Sequence, residues 1–430
     1  MENVPADCSR FRLLCDRQLL GPRLVQVAER KKLENVLVGL LIDEQQFTFE
    51  IRGATHDVNG RSTSQQSIHA GCLAKLLTAT LVAELVANSQ LDWSDKIVDS
   101  LMCQHSTRRK LRDIAVCHLL NHSHGLHGES VDALPRSSDG FISVHRLCEF
   151  LSDRRLSKPG ALYSYGEIGS WLAGALIEHI YQKPYADVLL DRGLMVPQSL
   201  HGDHAPEFVC PATGRELQLT VAQWFSFAQL HFDNPTTNSR NEPFAVLRDM
   251  QIQLPGWHPT ERAMCLGWKY YGDGWYGHNS KMSDRSAVLR INPLQRVAII
   301  VSVEGSADAI IALAGLFGDL LPEFLHLRFP RLVGSKKRRD EECDRYLGVY
   351  SQSTMKVTVR MSADSGLEVS IYDLRAERCV AHSRLRAASE GVFMLEWSGD
   401  SDFMFVQFLA PRREDEIEYL WNGRQLWRRE

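Results

Sequence analysis

A thiol and an amine stand three residues apart at the start of a long apolar run. Ala70-Gly71-Cys72-Leu73-Ala74-Lys75 leads into Leu73 to Ala87 (LAKLLTATLVAELVA), which has no Gly or Pro and only Lys75 and Glu84 as charges. A thiol at a helix N-terminus lies at the positive end of the helix dipole, which favours thiolate. Residues three apart share a helix face, and burial disfavours a charged ammonium, so Lys75 is placed to take a proton from Cys72. The chemistry this pairing suits is nucleophilic attack by sulfur. On this stretch alone a second reading stands beside it: free cysteine is often a small buried hydrophobe, and a first-turn lysine can snorkel to water.

The elements that must position these groups follow from periodicity. Apolar surface nearly all round the 73–87 run predicts a helix inside a domain. Before it, Asn35 to Ile51 predicts a hairpin turning at Asp43-Glu44-Gln45-Gln46, preceded by a helical lead-in over residues 1–33. Asp113 to Leu120 predicts a short helix ending at Asn121-His122-Ser123-His124-Gly125-Leu126. A metal reading of His122, His124 and His127 is set aside, because only Glu129 adds a ligand type at suitable spacing. After Lys158-Pro159-Gly160, Tyr163 sits on a loop before a helix over Glu167 to Gln182, where its phenol either projects into a cleft or packs. Residues 215–250 are mixed and helical. The Gly- and aromatic-rich Gly267 to Ser280 feeds strands over Ser286 to Ile291 and Arg296 to Val303 and suits a pocket wall, and an apolar helix is expected over Ala307 to Phe324.

Past residue 334 the texture changes to short runs of period-2 alternation separated by turns, as in a small antiparallel barrel or sandwich. Ser353-Thr354-Met355-Lys356 in this tail repeats a Ser-x-x-Lys by letters but sits at a strand edge. The expected domains are 1–333, a charged linker 334–345, and 346–430.

Composition bounds the function classes. A chain of 430 residues suggests two domains, and 44% hydrophobic with 24% charged residues suits a soluble globular protein. A net charge of −4 gives no basic excess for nucleic acid. Lys336 to Arg339 is followed at once by Asp340-Glu341-Glu342 and reads as a solvated linker. Ten scattered cysteines without Cys-x-x-Cys fit neither a zinc site nor a disulfide framework. With no signal-peptide pattern and no membrane-length apolar stretch, a cytoplasmic location, no membrane partner, no metal and no cofactor are expected.

Taken in order, residues 35–325 resemble the serine β-lactamase and penicillin-binding-protein-like family, in its class C and esterase branch. Gly71-Cys72-Leu73-Ala74-Lys75 stands where the family has Ser-x-x-Lys; His118 to Leu126 is similar to its "LLTHTSGL" stretch. Tyr163-Ser164-Tyr165 stands for Tyr-x-Asn, and Gly277-His278-Asn279-Ser280 for the His-x-Gly or Lys-Thr-Gly strand. The tail is similar to the lipocalin-like domain of some members. The resemblance implies an α/β (α+β) fold, an antiparallel sheet flanked by helices with a helical subdomain, plus a small C-terminal barrel. It implies acyl transfer, with Cys72 as nucleophile, Lys75 and Tyr163 as base and proton relay, and His278 as an orienting wall. It also implies an oxyanion hole from the N–H groups of Cys72 and Lys281, with Tyr165, Asn279 and Ser280 beside the substrate.

Three departures mark this chain: Cys72 for serine, Tyr165 for asparagine and Ser280 for glycine. The last two argue against β-lactam or peptide hydrolysis as the native task. A thioester intermediate suits transfer to amines, thiols or alcohols. The expectation is therefore a Cys-dependent acyltransferase or thioesterase-like enzyme acting on small-molecule acyl donors and acceptors, a carrier-bound thioester among them. An esterase or amidase of the same fold, and a catalytically silent binding protein, are the alternatives.

Overall fold

The computed structural model describes residues 17–31, 33, 35–52, 57–58, 66–100, 111–127, 155–194, 214, 217–233, 244–256, 258, 260–305, 309–310, 312–313, 343–352, 354–363, 366–389, 391–395, 405–410, 417–422 and 424–430. Residues 334–342 of the expected linker and most of the expected helix over Ala307 to Phe324 lie outside them, as do Glu129 and Ser353. The chain forms two compact units. One comprises Met1–Asp95, Ser170–Ile252 and Thr260–His326; the other comprises Lys96–Gly169, Gln253–Pro259 and Leu327–Glu430. The segment carrying Tyr163-Ser164-Tyr165 groups with the C-terminal residues.

The first unit is built on an antiparallel sheet of nine strands in the order β3 (Asp57–Val58), β2 (Gln45–Arg52), β1 (Asn35–Ile42), β11 (Val297–Glu304), β10 (Arg285–Asn292), β9 (Trp275–Lys281), β8 (Lys269–Gly272), β7 (Ala263–Met264) and β6 (Ile252–Gln253). Third in that order is β1, flanked by β2 and β11. The hairpin expected at 43–46 turns at Asp43 and Glu44, and Asp43 adopts a φ of 52°, which an acidic side chain tolerates better than most. Strand alternation gives the sheet two faces. Val36, Val38 and Leu40 pack with Phe49, Val288 and Val301 against helix α1 (Arg17–Lys31). On the opposite face Gly39 leaves room for a helix: a Cβ there would sit 2.7 Å from Val221 and 2.9 Å from Phe225, both on α7 (Val221–Leu230).

Helix α2 (Ala74–Ala87) has the all-round burial its composition predicts, with eleven of fourteen residues buried. Its polar side chains are satisfied in place. Thr78 donates to the Ala74 carbonyl and meets the Tyr185 hydroxyl at 2.7 Å, and Thr80 donates to the Leu76 carbonyl and meets His231 Nε2 at 3.1 Å. Burial, with the nearby Arg248 cation, holds His231 well below the usual imidazole range, so it sits there neutral.

Residues 267–280, expected to line a pocket, are strands: β8 (Lys269–Gly272) and β9 (Trp275–Lys281) joined at Asp273-Gly274, followed by β10 (Arg285–Asn292). An Asp-Gly pair between alternating aromatics is a hairpin signal in its own right, with Asp273 at φ 49° and Gly274 at φ 79°.

In the second unit, β12 (Gly348–Ser351) through β19 (Leu426–Arg429) close into an eight-stranded antiparallel barrel, sealed where Tyr350 and Ser351 pair with Arg429 and Arg428. Inward residues fill it: Tyr350, Val357, Ile371, Phe408, Leu420 and Trp427 share one core, as an eight-strand barrel of this size can be filled by side chains alone. Among the described residues no helix is long and apolar enough to cross a membrane.

Candidate active site

In the first unit the apolar run does not begin as an α-helix. Gly71–Leu73 forms a 3₁₀ turn that runs into α2. Gly71 makes this entry possible at a φ of 48°, and its N–H donates to the Gly214 carbonyl at 3.2 Å while Ala70 N–H donates to Leu217 O at 2.9 Å. The turn is thereby tied to the segment before β5 (Gln218–Thr220). Cys72 is half-buried at the mouth of this turn, and Lys75, only 1% exposed, follows it by three residues. Side chains three apart on continuous helical backbone have Cβ atoms about 5–6 Å apart, so the thiol and the amine stem share one face.

The same face of the sheet presents β9. Alternation puts His278 and Ser280, both buried, toward α2, and turns Asn279 and Lys281 away. His278 Nδ1 lies 2.7 Å from the Asn279 carbonyl. A carbonyl can only accept, so Nδ1 carries a proton. Past Gly277, which pairs with Lys269 of β8, β9 has no further strand partner on that side among the described residues. The hairpin closes with Met282 N–H donating to Arg285 O, so the next pair, Lys281 with Ser286, is of the non-hydrogen-bonded kind and Lys281 N–H points away from β10. That is the orientation an oxyanion donor at this position requires.

The Cys72 N–H is already engaged. It donates to Ser280 Oγ at 3.1 Å, so the acceptor position assigned to a substrate oxygen holds a hydroxyl of the protein itself. Asn279 points the other way. Its side chain faces α1, where Oδ1 accepts from Arg290 at 2.7 Å and from the Tyr271 hydroxyl at 3.3 Å.

Arg290 is a residue that sequence reasoning missed. It is 1% exposed, its guanidinium lies 3.6 Å from the centre of the Tyr271 ring, and it also donates to the His278 carbonyl at 3.2 Å. It stands opposite Gly277, whose missing side chain leaves it a path toward Asn279. The signal available was a lone arginine inside the apolar run SAVLRI next to a glycine-containing strand.

Tyr163 and Tyr165 belong to the second unit. Both are buried, at 1% and 2% exposure. Tyr163 meets His122 edge-on at 6.1 Å, and Tyr165 lies 4.6 Å from His122 on one side and 4.6 Å from the Arg424 guanidinium on the other. The Tyr165 ring is therefore clamped by these two groups. The clamp comes from the barrel. Asn422 Oδ1 accepts from Arg424 N and Gln425 N to make a tight turn between β18 (Tyr419–Trp421) and β19. That turn receives Tyr165 N–H on the Arg424 carbonyl at 2.7 Å, and Leu426 N–H donates to Ser164 Oγ at 3.2 Å.

The histidine-rich stretch is a structural knot. His118 Nδ1 accepts from Ala115 N–H and His124 Nδ1 from Leu126 N–H, each at 3.1 Å, while Asn121 Oδ1 accepts from both Ser123 N and Oγ. Complete burial, and then the His118 ring, push His124 down to about 4. An unfolded histidine titrates near 6.5, so the unfolded chain binds the extra proton between those values. Stability present above pH 6.5 is lost as pH falls toward 4, by about 3 kcal/mol for this group. Urea midpoints at pH 7.0 and 4.5 should show this loss, and His124→Gln should flatten the slope between them; an unchanged slope in the variant would exclude His124 as its source.

Residues 27–195 match the Beta-lactamase family model. The chain is 25% identical over 332 residues to penicillin-binding protein 4 of Amycolatopsis lactamdurans, covering 65% of this chain and 83% of that protein. Among solved structures, SurE with D-Leu superposes with a TM-score of 0.71 at 19% identity, over 96% of this chain and 99% of SurE. A D-stereospecific amidohydrolase from Streptomyces sp. superposes with a TM-score of 0.53 at 16% identity, over 69% and 98%. These solved structures show a shared fold, and the family match covers residues 27–195 of this chain. The SurE superposition extends across the barrel as well as the sheet.

Proposed function

We propose that this protein is a Cys-dependent acyltransferase, with Cys72 as the nucleophile and a thioester as its covalent intermediate. The observation that carries the reading is the placement of Cys72 at the mouth of the turn leading into α2, with Lys75 three residues on and the open end of β9 alongside. Lys75 takes the thiol proton, sulfur adds to the donor carbonyl, and the donor's leaving group departs with a proton. An acceptor amine, thiol or alcohol then attacks the thioester and releases Cys72 as thiolate. Lys281 N–H and Cys72 N–H serve the oxyanion, and His278 Nε2 accepts a hydrogen bond from the substrate.

A thioester is more open to amines and thiols than an oxygen ester, which favours transfer over hydrolysis. The donors and acceptors are small molecules, a carrier-bound thioester among them, in a biosynthetic setting within the cytoplasm, where a reducing medium keeps Cys72 free. The names of the compared proteins, a D-stereospecific amidohydrolase and SurE with D-Leu, add D-configured acyl groups to the donors worth testing. The barrel is read as lipocalin-like. With water as acceptor the same steps make an esterase or amidase. A silent binding protein is favoured by one observation, the prior engagement of the Cys72 amide.

Incubation with octanoyl and N-acetyl-D-alanyl thioesters of N-acetylcysteamine, followed by intact-mass analysis, should show one acyl adduct that Cys72→Ala abolishes. An adduct that survives Cys72→Ala, or none with any donor while ligands still shift the melting temperature, would sink the enzymatic reading.

A further inference from the structure

We propose that Ser280 is a resident plug of the oxyanion site, so that a substrate oxygen reaches the Cys72 amide only by displacing the Ser280 hydroxyl. The inference rests on the reading of Cys72 as an acylated nucleophile and adds to it a residue that sets how readily acylation begins.

Three observations carry it. Ser280 Oγ accepts from Cys72 N–H at 3.1 Å, which is the distance and the donor an oxyanion would use. Ser280 is 3% exposed, and its hydroxyl takes up the space between β9 and the Gly71–Leu73 turn: a Cβ on Gly71 would lie 1.9 Å from that oxygen. The backbone beneath it is fixed, since Ser280 is paired with Ala287 of β10 in an uninterrupted register. What can move is the side-chain torsion. A cavity of about 20 Å³ lined by His69, Ser280, Met282 and Ser286 adjoins it and gives the displaced hydroxyl water-sized space to enter.

The physical consequence is a selective delay. Acylation must first break a hydrogen bond of ordinary net strength, which corresponds to about a tenfold loss in rate. A flexible acyl thioester can bring its carbonyl in as the hydroxyl turns away. A carbonyl locked in a small ring has less freedom to do so.

Ser280→Ala removes the oxygen and keeps the strand's Cβ; Ser280→Gly removes both. With octanoyl-N-acetylcysteamine thioester, both variants should acylate Cys72 about ten times faster than wild type in an intact-mass time course. Acylation at the wild-type rate or slower in both would overturn the proposal, and a slower rate would make the hydroxyl a donor to the substrate. If no form is acylated, the proposed function fails, and ¹⁵N-cysteine labelling decides the plug separately. The Cys72 amide resonance, identified by its loss in Cys72→Ser, should move upfield in Ser280→Ala; an unmoved resonance would overturn the inference.

Discussion

Lys75→Met is expected to slow acylation of Cys72 by about 10³-fold, within the 10²–10⁴ range that a positioned base contributes. The lysine is 1% exposed, so little water reaches the thiol from that side to take its place as a base. Methionine keeps the length and most of the apolar stem, so the packing of α2 should survive. The variant's rate should then follow ordinary thiol ionisation, rising tenfold per pH unit up to about pH 8.5. A stopped-flow series from pH 6 to 9 with a chromogenic thioester checks this. A Lys75→Met rate equal to wild type at pH 7 would remove the amine from the mechanism.

Arg290→Met is expected to cost about 3 kcal/mol of stability, because buried acceptors lose a charged donor and recover no water. The His278 carbonyl and Asn279 Oδ1 are the groups left behind, along with the Leu289 carbonyl at 2.9 Å. Both β9 residues immediately precede Ser280 in the strand, so the loss should reach the site. Arg290→Lys should rescue little, since an ammonium cannot fork between two acceptors or lie flat on the Tyr271 ring. Burial holds that phenol's pKa raised, with Arg290 opposing the shift; removing the guanidinium leaves burial unopposed on that side. Urea unfolding and the acylation rate should fall together in Arg290→Met. A change under about 1 kcal/mol with an unaltered rate would reduce Arg290 to a replaceable packing group.

Much of this was legible in the order of residues. A run of helix formers with only two charges announces a helix buried nearly all round, and eleven of the fourteen residues of α2 are buried. Asn35 to Ile51 announces its own hairpin because period-2 alternation and a short polar turn are local properties. The tail's seven alternating runs foreshadow a barrel, and Cys72, Lys75 and His278 carry the resemblance to a known class by residue type and order alone.

Other features were decided only by distant parts of the chain meeting. Ser280 and Cys72 are 208 residues apart, and nothing in either neighbourhood says that the hydroxyl of one will take the amide of the other. The direction of Asn279 was set by strand pairing, because a side chain's face depends on register and not on its neighbours in sequence. The barrel turn at Asn422 closes on the Tyr165 loop across more than 250 positions, which no local propensity encodes. Propensity and periodicity act over a few residues through backbone sterics and burial, so they name the elements. The chemistry depends on donor and acceptor positions at ångström scale, and those exist only once the sheet has brought its strands into register.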